Sequence, residues 1–181
     1  LMPIKINAVV QRGLNDHTAV ALVERFRGSG VIVRFIEYMD VGNRNHWKPE
    51  LVVPSKELAA WINARWPLEP LERNYRGEVA ERYGFADGQG EVGFISSVTQ
   101  PFCGDCSRAR LSSDGVMYTC LFATHGTSLR DAVRGGASDE ALLEMIRGIW
   151  THREDRYSEL RADLRRQEGQ QPKVEMYYIG G

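Results

Sequence analysis

All three cysteines of the chain fall within eighteen residues, as C-x2-C-x13-C: Cys103, Cys106 and Cys120. Two thiolates two residues apart in a tight turn can bind one metal centre, and Gly104-Asp105 supplies that turn. A third thiolate returning on a hairpin completes the set, so three unrelated buried thiols is the poorer reading of this spacing. Two metal readings stand. Adding His125, five residues past Cys120, gives a closed Cys3His zinc site. Leaving it out gives three thiolates, which suit a [4Fe–4S] cluster with one iron free of protein ligands. A lone histidine in a turn is more often solvated than ligating, which tilts the balance toward the cluster.

Arg108 and Arg110 follow directly. On a strand, alternate residues face one side, so both guanidinium groups are expected to flank the metal centre together. Two forked donors side by side suit a polyphosphate; the plainer reading is a pair of surface arginines. Lys5 and Arg34 each interrupt an apolar run. An unpartnered buried cation is costly, so they are expected to emerge at a barrel mouth facing an anionic ligand. The alternative is an ion pair using Glu37. Gly88, Gly90 and Gly93 satisfy G-x-G-x-x-G, but Phe94-Ile95-Ser96-Ser97-Val98 follows as a strand pattern, whereas a dinucleotide loop must open a helix. A hairpin turn is expected there.

The elements that must position these groups are legible in outline. Ile4–Val10 and Val31–Met39 read as strands, with a helix between them built on Ala19, Val20, Leu22, Val23 and Phe26. This predicts a βαβ unit and a parallel sheet, with Asn15 or Asp16 capping the helix. Asp40–Pro54 reads as a loop and the boundary region. Ser55 is expected to cap a helix with an apolar face of Leu58, Trp61, Ile62 and Trp66, closed by Pro67. Leu68–Val98 reads as antiparallel sheet, with strands near Val79–Tyr83 and Val92–Ile95. Ser128 with Asp131, and Ser138, open two further helices. Arg153–Glu168 reads as a solvated face or loop.

Composition limits the function classes. The chain of 181 residues is 43% hydrophobic with a net charge of −1, so it can bury a core and has no global attraction for nucleic acid or anionic membrane. No apolar run approaches the ~20 residues of a membrane span, and the start reads directly into a strand without a signal peptide. A first residue of Leu suggests the interior of a longer chain. Few, odd-numbered cysteines point to the cytosol.

Lys5-Ile6-Asn7, Arg12-Gly13-Leu14-Asn15-Asp16, Arg34-Phe35-Ile36-Glu37-Tyr38-Met39-Asp40, the Cys103–Cys120 block and the final Gly180-Gly181 together resemble the GTP 3′,8-cyclase family, radical S-adenosylmethionine enzymes of molybdenum cofactor biosynthesis. The likeness runs along the whole chain but covers about the C-terminal half of the family's length. It implies an α/β fold: the last βα units of an incomplete (β/α) TIM-like barrel in residues 1–45, then an α+β C-terminal domain in residues 46–181 that binds GTP and an iron–sulfur cluster. It implies two [4Fe–4S] clusters in the complete enzyme. The first sits on a C-x3-C-x2-C loop that this sequence lacks, and cleaves S-adenosylmethionine to a 5′-deoxyadenosyl radical. The second matches Cys103, Cys106 and Cys120, and its open iron binds the guanine of GTP. The radical removes the ribose 3′ hydrogen, and C3′ bonds to C8 to give (8S)-3′,8-cyclo-7,8-dihydroguanosine 5′-triphosphate. By position, Lys5 and Arg108-Ala109-Arg110 match GTP-contacting residues, and Met39 matches a residue that contacts S-adenosylmethionine. Arg34, Gly180 and Gly181 would lie at the active site. The resemblance also implies cyclic pyranopterin monophosphate synthase as the enzyme acting next, a homodimer as the candidate assembly, and an inactive chain where the first cluster's motif is missing. A zinc-stabilised binding module without catalysis is the competing reading.

Overall fold

A computed structural model describes residues 3–164 and 172–179. Packing divides the chain into two compact units, Leu1–Met39 with Trp47–Cys106, and Asp40–His46 with Ser107–Gly181.

The first unit is built on one mixed sheet. Strand β1 (Lys5–Val10), helix α1 (Ala19–Phe26) and strand β2 (Ile32–Glu37) form the expected βαβ unit, paired in parallel from Lys5↔Ile32 to Val10↔Glu37. After helix α2 (Ser55–Asn63) come β3 (Leu68–Leu71), β4 (Glu81–Phe85) and β5 (Glu91–Ile95), which pair antiparallel as expected. The sequence does not reveal that β5 also pairs in parallel with β2, from Val33↔Val92 to Ile36↔Ile95. The order β1-β2-β5-β4-β3 therefore joins the βαβ unit and the antiparallel strands in one sheet. Gly88 and Gly90 lie at positive φ in the β4–β5 connection, as a hairpin turn requires.

The core occupies one sheet face. Val33 and Phe35 of β2 and Val92 and Phe94 of β5 pack against Val23 of α1 and Leu58 and Ile62 of α2. Phe35 and Phe94 are fully buried with ring centroids 6.0 Å apart. Each contributes roughly 1.5–3 kcal/mol through burial alone. One expected cap is borne out in position and one is corrected. Asn15 occupies the cap position of a 3-10 turn, Asp16–Thr18, that runs straight into α1, but its Oδ1 accepts from Gln11 N and Asp16 Oδ1 from Gly13 N, closing the preceding turn rather than capping the helix. Ser55 is the first helical residue of α2 rather than its cap, and its N–H is bound by Glu37.

The second unit carries a small antiparallel sheet, β6 (Arg110–Leu111), β7 (Val116–Tyr118) and β8 (Thr127–Ser128), then α3 (Leu129–Arg134), α4 (Asp139–Thr151) and α5 (Tyr157–Leu164). Ser128 and Ser138 cap α3 and α4, accepting from Asp131 N and Ala141 N. The charged stretch read as a solvated face or loop instead contains α5. Its Arg161 is buried because Asp40 supplies a counter-charge at 2.8 Å. Among the described residues, no helix is long and apolar enough to cross a membrane.

Burial pushes the Asp40 carboxyl up, but the Tyr157 hydroxyl and the charges of Arg161 and Lys173 outweigh it and hold the group below its ordinary value. Its contribution to stability is therefore complete above the unfolded carboxyl's titration and is lost as pH falls through the folded one. Stability of the native protein against urea is expected to fall below about pH 4. Asp40→Asn is expected to be less stable at pH 7 and to converge with the native protein in acid. Parallel stability curves across that range would contradict this.

Candidate functional site

The sheet face opposite the core carries two of the cations singled out in the sequence, Lys5 and Arg34. Lys5 and Asn7 alternate on exposed positions of β1. Asn7 is the register partner of Arg34 on β2, and Arg34 Nε donates to Asn7 Oδ1 at 2.8 Å. Gly93 is Arg34's partner on β5, and a Cβ there would stand 3.1 Å from Arg34 Cγ, so the missing side chain leaves room for the arginine stem. Lys5 also sends its charge toward Glu78. Burial pushes the Glu78 carboxyl up, but bonds from Asn74 and the charges of Arg82 and Lys5 leave it lowered on balance. The partner considered for Arg34 or Lys5, Glu37, is committed elsewhere: three residues along a strand from Arg34, it faces the core.

Glu37 is fully buried. Its Oε1 accepts from Ser55 N at 2.9 Å and Thr99 Oγ1 at 2.5 Å; its Oε2 accepts from Val98 N and Thr99 N, each at 2.8 Å. One carboxylate thus caps the N-terminus of α2, where the helix dipole favours negative charge, and fixes the turn that follows β5. Four residues beyond Thr99 the chain enters the cysteine turn, a single 3-10 turn over Cys103–Asp105 in which Cys106 N donates to Cys103 O at 3.3 Å. The turn borders a polar cavity of about 270 Å³ whose walls include Arg73, Glu78, Ser96, Gln100, Phe102 and Asp105.

Cys120 belongs to the second unit, in the loop between β7 and β8. Phe122 N donates to its sulfur at 3.4 Å. It lines a cavity of about 370 Å³ together with Thr119, Phe122, His125, Asp155 and Tyr157. His125 is exposed and its Nδ1 bonds Thr124 Oγ1 at 3.0 Å. Arg108 and Ala109 are exposed and precede the strand; β6 begins at Arg110, so strand alternation does not extend to Arg108. Met39 is half-buried just after β2. Gly180 and Gly181 lie outside the described residues.

The structure thus brings Lys5, Asn7 and Arg34 onto one face, and Cys103 and Cys106 onto one turn. Among the described residues, no three His, Cys, Asp or Glu side chains stand together as a metal-binding group. The chemistry of the donor set nonetheless fits an iron–sulfur cluster: three half-buried thiols, one of whose sulfurs already receives a backbone N–H. Sequence reasoning missed the roles of Glu37 and Asp40. An acidic residue inside or ending an apolar strand was the available signal.

Residues 31–159 match the Molybdenum Cofactor Synthesis C family. A protein named GTP 3′,8-cyclase from Xanthomonas campestris pv. campestris (strain B100) is 55% identical over 178 residues, covering 98% of this chain and 51% of that protein. Proteins of the same name from Acidothermus cellulolyticus (strain ATCC 43068 / DSM 8971 / 11B) and Synechococcus sp. (strain WH7803) are 49% and 48% identical, over 99% and 98% of this chain and 56% and 49% of their own lengths. The chain spans about half the length of the curated relatives it matches.

Glu37→Ala would remove the acceptor of four donors, of which the Ser55 N–H is buried and the Val98 and Thr99 groups are nearer the surface. A destabilisation on the order of 3 kcal/mol or more is expected, with faster hydrogen exchange at Ser55, Val98 and Thr99. Glu37→Gln keeps one acceptor oxygen and is expected to lose less. Unchanged exchange at these three amides in Glu37→Ala would show that the carboxylate does not hold the turn.

Proposed function

Because the chain belongs to the Molybdenum Cofactor Synthesis C family, we propose that it forms the substrate-binding portion of a GTP 3′,8-cyclase, acting in molybdenum cofactor biosynthesis. The observation that carries this reading is the Cys103–Cys120 block, in which three thiols and two arginines share eighteen residues. Cys103, Cys106 and Cys120 would hold a [4Fe–4S] cluster. When bound, that cluster would supply an iron without a protein ligand, a Lewis acid for the guanine base.

The chain's own residues do the rest. Arg108 and Arg110 supply charge-assisted donors for the triphosphate, with Ala109 between them leaving space for it. Lys5 and Arg34 add positive charge from the non-core sheet face, with Asn7 fixing the Arg34 guanidinium. Met39 contacts S-adenosylmethionine, and Gly180-Gly181 close the site against water. The radical-generating cluster belongs to a C-x3-C-x2-C motif that these 181 residues do not contain, so this portion by itself is inactive. In this reading residues 1–45 are the end of a TIM-like barrel and residues 46–181 the cluster domain. The compact units group the chain differently because β5 pairs with β2. GTP is the substrate, the product passes to cyclic pyranopterin monophosphate synthase, and the enzyme works in the cytoplasm, with a homodimer as its candidate assembly. The zinc alternative has less support, since His125 is exposed.

Equilibrium binding of GTP and guanosine to Arg108→Ala and Arg110→Ala, with the cluster confirmed by spectroscopy, tests the reading. Each variant is expected to weaken GTP binding about tenfold to a hundredfold, as for a charge-assisted contact of roughly 1.5–3 kcal/mol, and guanosine binding far less. Arg→Lys is expected to rescue part of the loss. Equal losses for both ligands would mean that the arginines do not clamp the triphosphate.

A further inference from the structure

Asp40 gathers three partners from the far end of the chain. Its Oδ2 accepts from Tyr157 Oη at 2.6 Å and Lys173 Nζ at 3.0 Å, and its Oδ1 from Arg161 Nε at 2.8 Å. Its backbone carbonyl accepts a further bond from Lys173 Nζ at 2.8 Å. Asn43 continues the attachment. Its side-chain amide exchanges bonds with the Lys173 backbone, Nδ2 to O at 2.7 Å and N to Oδ1 at 3.0 Å, and its N and Nδ2 each donate to Glu175 Oε1 at 3.1 Å. Gly42, at φ +61°, lies so close to the Glu175 carboxylate that any Cβ would collide with it. The loop Asp40–Asn43 therefore holds residues 173–175 at both backbone and side chain.

The same groups enclose Phe122. Its ring stacks on Tyr157 with centroids 4.4 Å apart. The Arg161 guanidinium and the Lys173 ammonium lie 5.4 and 5.2 Å from the Phe122 centroid, and Val174 N donates to Ala123 O at 2.8 Å. Phe122 is the residue whose N–H reaches the Cys120 sulfur. A continuous set of contacts thus runs from Asp40 through Lys173 and Tyr157 to Phe122 and on to Cys120.

We propose that Asp40 is a positioning residue that couples docking of the C-terminal segment 172–179 to the hydrogen bond on the Cys120 sulfur. Its relevance to the reaction rests on the reading that Cys120 is a cluster ligand. Bonds to ligand sulfurs tune a cluster's potential, so loosening the terminal segment would alter the cluster through Phe122 without touching a ligand.

The test uses Asp40→Asn and Lys173→Met, with Lys173→Arg as the conservative variant. Lys173→Met retains an apolar stem over the rings and sits outside regular structure, so it preserves the fold if Asp40→Asn does not. Hydrogen exchange is expected to accelerate together at Val174 and Phe122, by about tenfold or more for loss of a charged hydrogen bond. Exchange in β1–β5 is expected to stay unchanged, and Lys173→Arg to restore protection at both amides. In the iron-loaded protein, the midpoint potential is expected to move in Lys173→Met at constant iron content. Faster exchange at Val174 with Phe122 unchanged would overturn the coupling, as would an unmoved potential. A native protein that binds no iron would overturn the cluster reading instead, and the exchange comparison on the metal-free protein would still uphold or overturn the coupling.

Discussion

The Glu37 carboxylate lies in the core and takes its hydrogen bonds from Ser55, Val98 and Thr99, points remote from it along the chain. A buried charge is tolerated only where donors replace its hydration. Three of its four donors are backbone N–H groups: the first N–H of α2 and two of the turn after β5. The arrangement sets the end of β2, the start of α2 and the exit of the chain from the sheet in relation to one another. Everything downstream in the first unit, including the turn that carries Cys103 and Cys106, leaves from that fixed point.

A second carboxylate, Asp40, organises the other unit by a different means. Glu37 collects three backbone donors and one hydroxyl, whereas Asp40 collects side-chain cations and a phenol, and so orders α5 and the segment after it around Phe122. The two acids stand three residues apart in the sequence but act in separate compact units. Each sits beside a cysteine-bearing segment, one upstream of Cys103 and one through Phe122 at Cys120. Glu37 and Asp40 thus each fix the backbone leading to a cysteine-bearing segment.

Local periodicity made much of this legible. The βαβ unit, the β4–β5 hairpin and the caps of α3 and α4 follow from apolar spacing and from Ser at helix starts. The parallel pairing of β5 with β2 did not, because a strand's partner is a long-range choice that alternation within one strand does not encode. The Ser55 cap failed for a related reason: the helix end is satisfied by Glu37, a residue from another element. Helix α5 was misread because its charge density suggested solvent, while its one buried arginine depends on Asp40, 121 residues away. At the site, residue types spoke more clearly than geometry. The C-x2-C-x13-C spacing and the two arginines single out the Cys103–Cys120 block, but strand alternation assigns Arg108 a place that β6, starting at Arg110, does not provide.

In the proposed function, Cys103, Cys106 and Cys120 would together hold one iron–sulfur cluster. Iron, zinc and acid-labile sulfide analysis of anaerobically purified protein tests it most directly, in the native chain and in single Cys→Ser and His125→Ala variants. Iron and sulfide are expected in equal amounts, lost in each cysteine variant and retained in His125→Ala. A colourless protein with one bound zinc that is released by His125→Ala would contradict it.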